Sequence, residues 1–258
     1  MASFEVIGNK EKAVAIIPSS KNIKQDKVTA KEILKKSKNI KSVLVKTSKR
    51  KGKLRKREYK LLLGEKNTEV IHKEYGYIMK LDPKETYFSS RESTERQRIA
   101  SQVKQKEKIL VLFSGIAPFI LAIKKKQPNT IVYGIELNKK AHQYAVENIK
   151  LNKCKDVILI QGDVNKKLPK LKIKFDRILM PLPKTANKFL DLAFSKIKKN
   201  GVIHYYAWGN KEEYVEIEKQ IKKEAKKTKK KIKILTIKEV LPYAPRIYKI
   251  AVDIKCLN

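Results

Sequence analysis

The stretch Ile109 to Phe119, ILVLFSGIAPF, decides the fold. Four apolar residues, Ile109 to Leu112, run into Phe113. A loop of small residues follows, Ser114-Gly115-Ile116-Ala117, and Pro118 opens a second apolar run, Phe119 to Ile123. This order reads as a buried parallel strand, a tight turn and a helix with proline in its first turn. Such a turn brings backbone N–H groups close to a nucleotide-like ligand at the carboxyl end of a strand. Glu136 follows 21 residues after Gly115 and closes the next strand, Thr130 to Ile135. An acidic side chain about 20 residues on, at the tip of the second strand, is where a Rossmann-like sheet binds ribose hydroxyls. An ordinary βαβ unit with a surface glutamate would show the same two features, because short glycine motifs are weak on their own.

Working outward, strand and helix patterns alternate from residue 108 to the end. Asn138 is placed to cap a helix that reaches about Leu151. Strands are read at Val157–Ile160, Phe175–Leu179 and Gly201–Tyr206, with helices over about 186–197 and 211–231. Two last strands, 232–240 and 246–256, are joined through Leu241-Pro242-Tyr243-Ala244-Pro245. The alternation predicts an α/β fold: a doubly wound, mostly parallel Rossmann-like sheet with a closing antiparallel hairpin. Upstream, residues 1–85 read as a small α+β domain with a curved antiparallel sheet. Its strands are Phe4–Gly8, Ala13–Ile17, Ser42–Lys46, around Leu61–Leu63 and Glu69–His72, and its helix covers 28–38. Residues 86–107 connect it to the larger domain, 86–258, through a helix over 94–104 capped near Ser93 or Thr94.

The chain has 258 residues, with Lys+Arg 62 against Asp+Glu 26, a net charge of +36. That excess points to a polyanionic partner, nucleic acid first and an anionic membrane surface second. Lysine-rich composition is common in heat-adapted organisms, which accounts for total charge but not for local clusters. The densest cluster is Lys49-Arg50-Lys51-Gly52-Lys53-Leu54-Arg55-Lys56-Arg57. Cys154 and Cys256 stand alone, so neither a metal site nor a disulfide framework is readable. No signal-peptide core and no apolar run of the roughly 18 residues that span a bilayer is present, which predicts a cytoplasmic protein without a membrane partner.

A closing hairpin on this type of sheet is a feature of S-adenosyl-L-methionine (AdoMet)-dependent methyltransferases as a class. Six motifs then occur in one order: YFSSRESTERQRIA (87–100), VLFSGIAPF (111–119), YGIELN (133–138), FDRILMPLPKTA (175–186), GVIHYY (201–206) and YAPRIYKIAVDI (243–254). Together they resemble the archaeal and eukaryotic tRNA guanine-37 N1-methyltransferase family. The similarity spans nearly the whole chain, with FEVIGN through IHKEYGYIMKLD similar to that family's RNA-contacting domain. The longer members carry a further N-terminal domain, for which this chain has no room. The resemblance implies AdoMet as methyl donor and the tRNA anticodon stem-loop as partner, with no obligate protein partner. It implies cofactor contacts from Arg91, from Phe113, Ser114, Gly115 and Pro118, from Glu136 and Leu137, from Gly162 and Asp163, and from Pro181. Glu95 matches the family's general base, which removes the proton from guanine N1. Arg55 or Arg57 matches a basic residue that holds guanine O6, with Arg55 favoured. A cation there stabilises the negative charge that develops as the proton leaves. Lys53, Arg57, Pro183 and Arg246 are implied as further substrate contacts.

Each assignment has a plainer alternative. Glu95 has the spacing of a helix ion pair with Arg91 or Arg98. Arg55 and Arg57 fit general phosphate contacts, and Asp163 after Gly162 fits a turn residue. The motifs also depart from the family pattern. Val111 stands where an Asp is usual, Ala117 where a second Gly is usual, and Pro181 in place of an Asn. Ala117 restricts the loop backbone, and Pro181 offers neither a side-chain hydrogen bond nor a backbone donor. These changes leave three readings: the methyltransferase, with methylation at C7 of a wyosine-pathway intermediate also open; a non-catalytic RNA-binding protein on a degraded scaffold; and an AdoMet enzyme for another RNA position.

Overall fold

The structure is a computed structural model that describes residues 4–48, 57–181 and 186–258. The chain opens with β1 (Glu5–Gly8), β2 (Ala13–Ile17), α1 (Ile23–Lys36), β3 (Ile40–Lys46) and β4 (Tyr59–Gly64), which form one sheet in the order β1-β2-β3-β4. The sheet is mixed rather than purely antiparallel. β2 and β3 run parallel because α1 lies between them as a crossover, while β1/β2 and β3/β4 are antiparallel. Strand alternation sorts the apolar side chains. Ala13, Ala15, Ile17, Val43 and Val45 pack with Ala30 and Ile33 of α1. Ile7, Val14, Ile16 and Leu44 join the larger core on the other side. The helix starts earlier than the apolar spacing over 28–38 predicts. Asn22 caps it by accepting from the backbone of Lys24 and Gln25, and buried Asp26 accepts from the backbone of Ser20 at 2.9 Å.

A separate hairpin follows, β5 (Val70–Glu74) and β6 (Tyr77–Leu81). Its second strand adds to the elements read from the sequence pattern. A 3-10 turn at Ser90–Glu92 then leads into α2 (Ser93–Gln102). The N-terminus of α2 has no side-chain cap, against the expectation for Ser93 or Thr94, because the preceding turn already supplies the backbone path into the helix.

The second half contains β7 (Lys108–Leu112), α3 (Pro118–Lys126), β8 (Ile131–Glu136), α4 (Lys139–Leu151), β9 (Val157–Gln161), α5 (Val164–Lys167) and β10 (Phe175–Met180). It ends with α6 (Leu190–Lys196), β11 (Ile197–Gly209), α7 (Tyr214–Lys227), β12 (Ile232–Ala244) and β13 (Ile247–Cys256). Seven strands form one sheet in the order β12-β13-β11-β10-β7-β8-β9. All neighbours are parallel except β13, which is inserted antiparallel between β11 and β12. The sheet is doubly wound. Ile109 and Val111 of β7 face a core shared with Ile99 of α2 and Phe119 of α3, and Leu110 and Leu112 face one shared with Phe194 of α6 and Ile221 of α7.

The hairpin is fixed to α4 through the outer edge of β6. Asn148 in the last turn of α4 and Asn152 just after its end bond the backbone of β6 like rungs of a missing strand. Asn148 accepts from Lys80 N at 2.7 Å and donates to Lys80 O at 3.1 Å, and Asn152 does the same for Ile78 at 2.9 and 2.7 Å. An exposed strand edge is thereby satisfied. No helix among the described residues is long and apolar enough to cross a membrane.

Candidate active site

The carboxyl ends of β7, β8, β9 and β10 lie along one edge of the sheet, and the candidate residues follow them. After β7 the chain turns through three residues with positive φ: Phe113 at 58°, Gly115 at 57° and Ala117 at 73°. Only glycine adopts this region without strain. Ala117 therefore takes the left-handed conformation at a cost of about 1–2 kcal/mol, and Pro118 starts α3 directly after it. Ser114 turns its hydroxyl toward Gly134 of β8, where a Cβ would come within 3.1 Å of it, so the side chain faces the sheet and has no hydrogen-bond partner among the described residues. Phe113 packs edge-on against Phe189, with ring centroids 4.9 Å apart. Asn148 donates to Ile116 O at 3.1 Å, so one amide braces both this loop and the hairpin.

Glu136 closes β8 and faces the loop. One carboxylate oxygen accepts from Gly115 N and the other from Asn138 N, each at 2.7 Å. A carboxylate has about four acceptor sites, so capacity remains for a ligand diol. Burial pushes the Glu136 carboxyl up, against the opposing pull of backbone N–H groups at Asn138, Gly115 and Leu137. Leu137 also accepts from Gln161 through its carbonyl. Gly162 has φ 141°, and Asp163 caps α5 by accepting from Asn165 N at 2.9 Å. The turn role and the tip position are both realised at Asp163. Pro181 directly follows β10 and is half-buried.

Glu95 lies on the first turn of α2 and is buried, 4 % exposed. It makes the ion pair that its spacing to Arg98 foretold: Arg98 Nε and Nη2 each donate to it at 2.8 Å. Tyr206 of β11 adds a third bond, O–H to Oε1 at 2.6 Å. Burial, then the negative charge of Glu95, pushes the Tyr206 hydroxyl well above its usual range, which keeps it a donor. The Tyr206 ring sits 6.3 Å from that of Phe119, in the first turn of α3. The carboxylate and the loop after β7 are thus bridged by one pair of rings.

A buried polar chain continues from Arg98, and the sequence reading missed it. Arg98 also donates to both oxygens of Asp253 on β13, at 2.6 and 3.2 Å. Asp253 bonds His204 Nδ1 at 2.7 Å, and His204 Nε2 meets Arg177 Nη1 at 2.6 Å. Arginine can only donate, so Nε2 accepts and the proton of neutral His204 lies on Nδ1. Arg177 pairs with Glu107 at 2.7 Å. Burial, together with the nearby Arg177 and Arg98, lowers His204. Asp253 would be raised by burial, but His204 and Arg98 hold it well below the usual carboxylate range. A second buried pair stands beside this chain. Lys249 Nζ bonds Glu92 at 2.7 Å and lies 4.5 Å from the Tyr206 ring centre. The signal for these residues was available: His204, Asp253, Arg177 and Lys249 each interrupt an otherwise apolar strand.

Arg91 is exposed in the 3-10 turn and has no hydrogen-bond partner among the described residues. Arg246 is exposed at the β12–β13 turn, where its φ of 57° closes the hairpin after Pro245. Arg57 precedes β4, with its Nε buried and unpartnered among the described residues. Lys53, Arg55 and Pro183 lie outside the described residues. Among the described residues no group of three or more His, Cys, Asp or Glu is arranged to hold a metal ion.

Residues 70–235 match the TRM5/TYW2 methyltransferase domain, and residues 1–68 match the TYW2 N-terminal domain. The chain is 38% identical over 255 residues to the tRNA (guanine(37)-N(1))-methyltransferase Trm5b of Pyrococcus abyssi, covering 98% of this chain and 74% of that protein. This chain belongs to the TRM5/TYW2 methyltransferase family. The crystal structure of wild-type Trm5b from Pyrococcus abyssi matches over 99% of this chain and 75% of that one, with a TM-score of 0.88 and 38% identity. A second family relative is the tRNA(Phe) (4-demethylwyosine(37)-C(7)) aminocarboxypropyltransferase of Methanocaldococcus jannaschii. It is 35% identical, with 93% of this chain and 94% of that protein covered. The structure of M. jannaschii TYW2 in complex with AdoMet covers 99% of this chain and 100% of that one, with 29% identity and a TM-score of 0.74. The two family models meet between residues 68 and 70, and the β5–β6 hairpin falls within the range 70–235.

Proposed function

We propose that this chain transfers a methyl group from AdoMet to N1 of guanine 37 in tRNA, working on the anticodon stem-loop. In this reading residues 1–85 contact the RNA and residues 86–258 bind the cofactor and carry the reaction. The observation that carries the reading is the setting of Glu95, a buried carboxylate held by Tyr206 and Arg98 one ring pair away from the loop after β7. The names of family relatives give the same reaction and the same class of cofactor.

The residues at the carboxyl edge fit AdoMet. Glu136 keeps acceptor capacity for two ribose hydroxyls. The backbone at Phe113, Ser114, Gly115 and Pro118 would line the approach, with Leu137, Gly162, Asp163 and Pro181 on the neighbouring strand ends and Arg91, exposed in the turn before α2, as a further contact. AdoMet, when bound there, supplies an electrophilic methyl group. Guanine N1 is a poor nucleophile while it carries its proton, so the chain's task is to remove that proton and hold the ring in line. Glu95 Oε2 carries one hydrogen bond and Oε1 carries two, which makes Oε2 the oxygen to receive the proton. Arg98 is bonded to Asp253 as well, so when Glu95 turns to the base Arg98 is not left unpaired. Arg55 or Arg57 is placed by sequence to balance charge at guanine O6, with Lys53, Pro183 and Arg246 as further contacts.

A second reading concerns the same site. The match of residues 1–68 to a TYW2 N-terminal domain, and the full-length match to an aminocarboxypropyltransferase, favour action on a wyosine-pathway base at C7. One experiment separates these readings. The protein is incubated with AdoMet labelled in the methyl group or in the carboxyl carbon, on unmodified tRNA transcript, on a transcript with guanine 37 replaced by adenine, and on tRNA carrying the wyosine intermediate. Methyl label on the first transcript only is expected. Carboxyl label on tRNA carrying the wyosine intermediate would establish the second reading. Equal methyl label on both transcripts would move the target elsewhere, and no label on any substrate would leave a binding protein.

A further inference from the structure

β11 runs four residues beyond its last pairing with β10, where Met180 lies opposite Tyr205. This extension, Tyr206 to Gly209, projects past the edge that carries the candidate site. Side chains alternate along a strand, so Trp208 emerges on the same face as Tyr206, about 7 Å further out. Tyr206 is the residue whose hydroxyl holds Glu95. Trp208 is directly opposite Lys249 on β13, and Lys249 bonds Glu92 beside the exposed Arg91. From β12, on the far side of β13, Tyr243 reaches back to Trp208. The ring centroids are 4.1 Å apart at 33°. Strands two places apart in a sheet are separated by about 9–10 Å, so the two side chains lean together over β13.

This pair is not core. Tyr243 is 53% exposed, and Arg246 stands exposed three residues later at the hairpin turn. A partly exposed aromatic pair, with Arg246 on the same hairpin, on a chain of net charge +36, has the chemistry of a single-stranded RNA contact. We propose that Trp208 and Tyr243 form a stacking platform for the unpaired RNA base next to the target guanine. The proposal rests on the reaction assigned above. A base that leaves the stack to reach a catalytic carboxylate leaves its neighbour without a partner. Trp208 lies one side-chain alternation beyond the tyrosine that holds Glu95, so one opened strand can place its target base at the carboxylate and a neighbouring base on the platform.

Trp208 is the single tryptophan of the chain, so its fluorescence reports on this position alone. The test titrates the whole protein with an anticodon stem-loop RNA while Trp208 emission is recorded. The same titration uses stem-loops made abasic at the nucleotide before or after guanine 37. Tyr243→Ala, a change at a half-exposed position, is measured alongside by filter binding, with thermal melting as a check on folding and Trp208→Phe as a second variant. The platform predicts quenching by the intact stem-loop and loss of quenching with one of the two abasic RNAs. Tyr243→Ala is expected to weaken stem-loop binding about tenfold, about 1.4 kcal/mol, with no further loss on that abasic RNA and unchanged AdoMet affinity. If the protein binds and methylates the stem-loop but Trp208 emission stays constant and Tyr243→Ala binds as tightly, the platform is overturned and the reaction stands. If the unaltered protein transfers no methyl group to any stem-loop, the reaction falls and takes the platform with it.

Discussion

Glu95 carries three hydrogen bonds before any substrate arrives, and this decides what its replacement does. Glu95→Gln keeps the shape but cannot take a proton, so the single-turnover rate should fall by about 10²–10⁴, with RNA affinity nearly intact. Unchanged turnover would remove Glu95 as the base. Glu136 makes a different prediction because its carboxyl is already raised by burial. It gains a proton at higher pH than an ordinary glutamate, and a protonated carboxyl loses acceptor sites for a ribose diol. AdoMet affinity measured by calorimetry should therefore weaken as pH is lowered, and begin to weaken at a higher pH than an ordinary glutamate would allow. Glu136→Gln should bind more weakly at all pH values and lose that dependence. A wild-type affinity that is flat with pH would separate Glu136 from the diol.

At the scale of elements, single side chains stand in for strands. Asn148 supplies both backbone partners of Lys80 and a third bond to Ile116. Asn148→Ala leaves these groups unpaired at about 1–3 kcal/mol each, so the melting temperature should drop and exchange of the Lys80 amide should speed up. An amide protected as before would show that β6 does not depend on α4. The cross-strand pair His204–Asp253 predicts acid sensitivity. His204 is lowered from its usual 6.5, so its neutral form contributes stability that is full above that value and is lost as pH falls below it. Asp253 is lowered from 3.8, so its contribution persists above that value and is lost at still lower pH. Between about pH 7 and 5 the histidine dominates, at no more than about 1.4 kcal/mol per pH unit for one proton. His204→Gln should be less stable at neutral pH but show a flatter decline in denaturant midpoint; an unchanged slope would exclude His204. The same elements mark what the sequence made legible. Short strands and the Pro118 helix announced themselves by local pattern, and Glu136 by its spacing from Gly115. The start of α1 was hidden because Ile23 to Asp26 is mostly polar, although Asn22 is a capping signal. The pairing of His204 with Asp253 spans 49 residues, and no local pattern encodes a partner at that distance. Glu95 was legible both as a family base and as the partner of Arg98, and the second role is the one visible in the fold.

For the whole molecule the dominant quantity is charge. With +36 on 258 residues the field attracts any polyanion, so affinity alone says little about where RNA sits. Salt dependence says more, because each phosphate contact releases a counterion and adds about 0.7–0.9 to the slope of log affinity against log salt. The ion pairs described above lie inside the molecule and contribute nothing to that slope. The seven basic residues from Lys49 to Arg57 fall between β3 and β4, whose ends are tied by Thr47 N to Glu58 O at 3.0 Å. If they grip the phosphates, replacing Lys49, Lys51, Lys53 and Lys56 with Gln should lower the slope by about one for each phosphate released. The methyl-transfer rate at saturating RNA should change little, since positioning at Glu95 depends on the buried chain through Arg98. The lysines of α7, also exposed and basic, provide the control: Lys222 and Lys227 already pair with Glu218 and Glu224, so their replacement should leave the slope nearly unchanged. A slope that responds equally to both sets would mean that the field acts as a whole and that the cluster grips no particular phosphate.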